Sequence, residues 1–239
     1  AEDGIRDYKV TGVQTCALPI YLDRMVAIAF EQGGTLDRIV GDAVAIMFSA
    51  PVQQPDHRER ALKCGLAMHA YASRYVADLV AKGQRFGRTR VGVHTGEVLV
   101  GNFGGSTMFD YRALGDPVNT CSRLEGANKY LGTTVCVSEE TLSGCPGNVA
   151  SPIGQLVVKG KTKPLAVFDP LTHASGVPLQ ERDTAYESAY ALMKEGKADA
   201  ARAAFEKLWN ERPDDGLVAF QLERLREGAK DDYIKLDEK

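Results

Sequence analysis

Two patterns in the 239-residue sequence predict an α+β fold. Short strand-like runs and longer helical stretches alternate irregularly from Tyr21 to about Leu171, with hairpins among them. A doubly wound sheet would need regular alternation, so a mostly antiparallel or mixed sheet flanked by helices is expected instead. From about Pro178 the apolar spacing becomes helical throughout, which adds a small all-helical tail.

The elements follow in order. Leu22, Met25, Val26 and Ala29 share one helical face, so Tyr21 to Gln32 reads as a helix that Gly33-Gly34 ends. Thr35 to Val40 and Ala43 to Phe48 flank Gly41-Asp42 as a tight β-hairpin. After a loop over Pro51 to Pro55, Asp56 opens a long helix to roughly Ala81. Its apolar stripe runs Leu62, Leu66, His69, Ala72, Val76, Leu79, and Gly83 closes it. Arg90 to His94, Glu97 to Val100 and Phe109 to Leu114 read as strands, with a Gly-rich loop over Asn102 to Thr107. Pro117 at the first turn and Gly132 past the end delimit the next helix. Thr134 to Val137 is a strand, a short helix starts at Ser138, and Gly154 to Val158 pairs with Leu165 to Phe168 around Gly160. In the tail, helices are expected over Thr184 to Glu195, Ala198 to Asn210, and from the N-cap Asp215 to Gly228. Ala201, Phe205 and Pro213 fit part of one tetratricopeptide repeat. A lone repeat cannot bury its own face, so residues 183–239 should pack on the preceding domain as a helical cap, joined by a linker over 172–182.

Composition excludes several classes. With 44% hydrophobic residues, 26% charged residues and a net charge of −3, the chain reads as soluble and offers no basic surface for nucleic acid. Residues 180–239 hold 11 basic and 15 acidic residues, which leaves the remainder almost neutral, so a polyanionic substrate must be held by local groups. The five cysteines, at 16, 64, 121, 136 and 145, include no C-x-x-C pair, which argues for a reducing, cytoplasmic setting without structural zinc or disulfides. No apolar run reaches the ~18–20 residues of a membrane span, although a membrane-anchored sensor upstream is compatible with this.

Ala1 to Ile20 shows neither helical nor strand periodicity and lacks the pattern of a signal peptide. It resembles a translated sequencing adapter and is set apart as a non-native leader, the alternative being a disordered native one. On the adapter reading the native protein begins before Tyr21.

Three segments carry candidate chemistry. In Leu36-Asp37-Arg38-Ile39-Val40-Gly41-Asp42, an acid at a hairpin tip can reach a metal ion on a short stem. In Ala113-Leu114-Gly115-Asp116-Pro117-Val118-Asn119-Thr120-Cys121-Ser122-Arg123, a turn leads into a helix on which Asn119 and Arg123 stand one turn apart on one face. An amide beside a guanidinium suits a sugar edge next to a phosphate. In Lys159-Gly160-Lys161-Thr162-Lys163, ammonium groups flank a turn and can clasp a triphosphate. Each alone fits a plainer alternative: a β-turn, a solvated helix face with Arg123 paired to an acid, a solvated hairpin tip. Cys121 reads as a small helix-face residue rather than a nucleophile, and His94 as a strand residue without a second metal ligand.

Taken together, in this order, and with Gly92-Val93-His94-Thr95-Gly96-Glu97 and Val100-Gly101-Asn102-Phe103-Gly104, the segments resemble the catalytic domain of class III nucleotide cyclases over Tyr21 to Leu171. The resemblance implies a ferredoxin-like sheet with its first strand missing from this chain. It implies that Asp42 is the second of two metal aspartates, that Asn119 orients the ribose, that Arg123 contacts the phosphates in the transition state, and that Lys159 binds the triphosphate. Two Mg2+ or Mn2+ ions and a head-to-tail homodimer with sites shared between subunits are implied as well. The substrate is then a nucleoside triphosphate, ATP preferred and GTP possible, cyclised with loss of pyrophosphate. Arg38 and Arg112 stand at the purine-selecting positions, where adenylate cyclases carry Lys and Asp or Thr and guanylate cyclases carry Glu and Cys. Arg112 can instead pair with Asp110 or Asp116. No match to the first metal aspartate exists in this chain, so little or no turnover is expected of it as written. The alternatives are a degenerate homologue that binds nucleotide or a partner without catalysis, and a scaffold led by the tail.

Overall fold

Val135, Cys136, Val137 and Ser138 are all buried, as a strand covered on both faces requires. In the computed structural model, which describes residues 12–105, 107, 109–157, 163–171 and 178–235, they form the inner strand β6 (Val135–Ser138) of a five-stranded mixed sheet. β6 lies between β3 (Val91–Val93), parallel to it, and β8 (Leu165–Asp169), antiparallel to it. β8 then pairs antiparallel with β7 (Ser151–Val157). Two further hairpins stand as separate two-stranded sheets: β1 (Thr35–Val40) with β2 (Ala43–Met47), and β4 (Leu99–Gly104) with β5 (Phe109–Leu114). The helices α1 (Gly12–Glu31), α2 (His57–Ala81), α3 (Asp116–Leu131) and the short α4 (Glu139–Leu142) complete this part.

Several expectations change. The boundary drawn at residue 20 falls inside α1, which runs unbroken through Pro19. Tertiary contact sets that segment: the Tyr75 hydroxyl donates to the Ala17 carbonyl at 2.7 Å, and Leu18 packs beside Tyr21, Met25 and Ala72. Packing can hold a helix that local spacing does not announce. The expected loop over 102–107 is partly strand, because Asn102, Phe103 and Gly104 pair with Tyr111, Asp110 and Phe109. The expected β7–β8 hairpin is present as a pair of strands, while Gly160 lies outside the described residues.

The tail comprises α5 (Thr184–Lys194), α6 (Ala198–Glu211) and α7 (Gly216–Arg226), but it is not all helical. Its last segment, β9 (Tyr233–Lys235), adds a parallel edge strand to β7, because Gly154 leaves room for the Asp232 carbonyl and the Gln155 N–H donates to that oxygen at 2.8 Å. One apolar core joins both parts: Leu124, Leu131, Ile153, Leu156 and Val167 pack with Tyr186, Met193, Phe205, Leu217 and Leu222. A register shift in β7 between Pro152 and Gly154 interrupts its ladder with β8. The tail meets the carbonyls there: Tyr186 donates to Pro152 at 2.8 Å and Gln221 to Ile153 at 2.6 Å. Buried carbonyls need such partners.

α7 meets the end of α3 backbone to backbone. A Cβ on Gly216 would stand 2.3 Å from the Gly132 carbonyl oxygen, and Asp215 caps α7 through the Leu217 and Val218 N–H groups. Gly216→Ala is therefore expected to push α7 off α3 and destabilise the chain by about 1–3 kcal/mol. Urea unfolding checks this, and an unchanged midpoint would show that the contact is loose.

Candidate active site

The β1–β2 turn is Gly41-Asp42, with Gly41 at φ +63° in its first position, as a type II′ hairpin turn needs. It leaves Asp42 exposed at the tip. The Asp42 charge lies near enough to Tyr21 to add to burial in raising that phenol's pKa, against the opposing hydrogen bond with Thr89.

α3 is amphipathic in the sense the site needs. Thr120, Leu124, Ala127, Asn128 and Leu131 are buried, while Asn119 and Arg123 are exposed beside that buried face. What fixes that rotation is contact with β3. Gly92 admits the helix backbone so closely that a Cβ there would lie 2.4 Å from the Cys121 carbonyl oxygen. The Cys121 thiol donates to the Gly92 carbonyl at 3.1 Å, and the Asn128 amide donates to the Val91 carbonyl at 3.0 Å. Burial pushes the Cys121 thiol up to about 11, so it stays protonated and serves packing. The Gly115 turn precedes α3 without a side-chain cap.

His94, just past β3, has Nδ1 2.8 Å from the Ser138 hydroxyl, with its side chain buried. Among the described residues no group of three His, Cys, Asp or Glu side chains converges as a metal site. Arg112 pairs with Asp110 at 3.3 Å, the alternative its neighbours allow. Lys159 lies outside the described residues. Asp42 sits on the hairpin tip and Asn119 and Arg123 on α3, whereas Arg38 on β1 and Arg112 on β5 stand on strands that are bridged by a residue the sequence did not single out. Asp37, with 4% of its side chain exposed, accepts from Arg38 Nε at 2.6 Å and from the Ala113 N–H at 2.8 Å, one residue beyond Arg112.

The pattern of the adenylate and guanylate cyclase catalytic domain matches residues 26–168, and the chain belongs to that family. It is 34% identical to Adenylate cyclase 1 of Rhizobium meliloti (strain 1021) over 166 residues, 69% of this chain and 25% of that protein. It is 26% identical to an adenylate cyclase of Anabaena cylindrica over 157 residues, 62% of this chain and 30% of that protein. The chain therefore spans a quarter to a third of these relatives' length. Among solved structures it resembles the adenylyl cyclase CyaB from P. aeruginosa, at 31% identity and a TM-score of 0.61, covering 70% of this chain and 86% of that one. It also resembles the guanylyl cyclase Cya2, at 28% identity and a TM-score of 0.54, covering 64% and 77%. No helix among the described residues is long and apolar enough to cross a membrane.

Proposed function

We propose that this domain binds a nucleoside triphosphate and belongs to an enzyme that converts it to a 3′,5′-cyclic nucleotide and pyrophosphate, in signal transduction. The reading rests above all on α3, where Asn119 and Arg123 leave the core together on the exposed face. ATP is the preferred substrate, since relatives named adenylate cyclase stand at up to 34% identity, and GTP is the second candidate.

In the reaction the ribose 3′-oxygen bonds to the α-phosphorus, the bond to the β-phosphate oxygen breaks, and the hydroxyl proton passes to water. Asn119 holds the ribose in line for attack. Arg123 donates to the phosphoryl oxygens as their charge grows, where a planar donor fork is most effective. Lys159 grips the triphosphate. Asp42 is the residue that would hold Mg2+ or Mn2+, because hard cations take carboxylate and phosphate oxygens, and often only one or two carboxylates come from the protein. Bound there, the cations would acidify the attacking hydroxyl and neutralise the leaving oxygens. The site is completed across a head-to-tail homodimer, with Asp42 of one protomer facing Asn119, Arg123 and Lys159 of its partner. A second reading, nucleotide binding without turnover, is favoured by the pairing of both purine-position arginines with acids of this chain.

Binding of a fluorescent ATP analogue with Mn2+ tests the proposal. Asp42→Ala and Arg123→Ala are each expected to weaken binding about tenfold, and their equimolar mixture to recover one intact site. No recovery would remove the shared site. Absence of binding by the unsubstituted chain, to ATP and GTP alike, would remove the nucleotide reading. Cyclic product released by the same chain would remove the second reading.

A further inference from the structure

We infer that Asp37 is a positioning residue for the purine end of the site: it fixes the guanidinium of Arg38 and ties it to β5 beside Arg112. The inference rests on the nucleotide reading above.

The pairing of β1 with β2 is interrupted at one place. Leu36 faces Ile46 and Arg38 faces Ala45, so Asp37 has no counterpart in β2 and forms a bulge. A bulge re-aims the side chains around it, and such irregularities gather next to active sites. Here the bulged side chain turns toward β5 and not along the hairpin. Ala113 is buried and pairs with Val100 in the β4–β5 ladder, yet its N–H goes to Asp37 Oδ1. A buried N–H on a strand edge must find an acceptor, and a neighbouring strand is the usual source. Here the source is one carboxylate oxygen.

The other oxygen takes Arg38 Nε. An ionised carboxylate only accepts, so the same group can serve both donors, and neither competes for the other's oxygen. Arg38 is thereby held by its inner nitrogen, and no other partner of it occurs among the described residues. Its two outer nitrogens keep their donors for a ligand. A long side chain that would otherwise lose rotamer freedom on binding is already ordered, which lowers the cost of recognition. The tether also holds the Arg38 strand against the strand that carries Arg112, because Ala113 follows Arg112 directly.

The test separates positioning from plain structural support by comparing ATP with tripolyphosphate, a ligand without a purine. Calorimetric titration with Mn2+ would follow the unsubstituted chain, Asp37→Asn, Asp37→Ala, Arg38→Ala and the double variant. Asp37→Asn keeps the volume and an oxygen for Ala113, so it should fold as before. Both Asp37 variants are expected to weaken ATP roughly three- to tenfold while leaving tripolyphosphate within about twofold. Asp37→Ala and Arg38→Ala should not add in the double variant, because they break one interaction. Hydrogen exchange of the Ala113 amide should quicken in Asp37→Ala and not in Arg38→Ala. Equal loss of ATP and tripolyphosphate, additive effects, or an unchanged Ala113 amide would each overturn the role of Asp37. If the unsubstituted chain binds tripolyphosphate but not ATP, both the purine site and this role fall. If it binds neither ligand, the nucleotide reading itself fails and takes this role with it.

Discussion

Gly92→Ala is expected to lower the melting temperature by roughly 6–12 °C, from about 3 kcal/mol of overpacking in a chain of this size, and to remove nucleotide binding. The new methyl would stand 2.4 Å from the Cys121 carbonyl oxygen and 2.5 Å from the Glu125 amide nitrogen. Both obstacles are helix backbone, so no side-chain rotation relieves them and α3 must move as a body. That movement breaks the Cys121 and Asn128 bonds to β3 and turns the Asn119–Arg123 face. Gly126 is the control within the same helix. A Cβ there meets nothing within 4 Å. Gly126→Ala should therefore stabilise the chain by about 0.5–1 kcal/mol through helix propensity. Thermal melts of the two variants check the pair. A small, equal effect from both would mean that α3 and β3 are not in close contact.

The same contrast explains what the sequence could and could not reveal. Features carried by local chemistry were legible: the Gly41 turn, Pro117 in the first turn of α3, Gly132 in a left-handed C-cap, and Asp215 capping α7. Asn119 and Arg123 could be placed on one face because helical spacing is fixed by geometry alone. Features created by a partner elsewhere in the chain were not legible. Tyr233–Lys235 carries no useful alternation and is a strand only because Gln155 to Val157 offers an edge. The start of α1 depends on Tyr75, 58 positions away from Ala17. The bulge at Asp37 has no compositional mark, since its purpose is met by an N–H on β5, 76 positions away. Arg38 and Arg112 are legible as a pair of positions, but the carboxylate that bridges their strands is not, because its second partner is a backbone N–H.

Raising the pH from 5 to 8 is expected to weaken the chain, most of all where the tail joins the sheet. Asp169 ends β8 with 3% of its surface exposed. Burial pushes its carboxyl up to about 8, the hydrogen bond from the Leu171 N–H (3.0 Å) opposes the rise, and the Asp215 charge adds to it. It is faced by Asp215 of α7, Tyr186 of α5 and Cys136 of β6, and it shares a cavity of about 530 Å3 with His69 of α2, Arg88 and Asp214. The folded chain therefore keeps a proton that the unfolded chain releases near the ordinary carboxyl value of 3.8. This contribution is complete below that value, is lost as pH climbs, and changes no further above about 8. Its slope can reach about 1.4 kcal/mol per pH unit. Asp169→Asn retains an oxygen for Leu171 and cannot ionise, so its urea midpoint should stay flatter from pH 5 to 8 and exceed that of the unsubstituted chain at pH 8. Protease cleavage between the sheet and α5 should rise with pH in the unsubstituted chain and not in the variant, because the cost of ionising Asp169 is relieved when α7 lifts and water reaches it. Parallel pH profiles for the two chains would mean that Asp169 is already ionised in the folded state, held by cationic neighbours across the cavity.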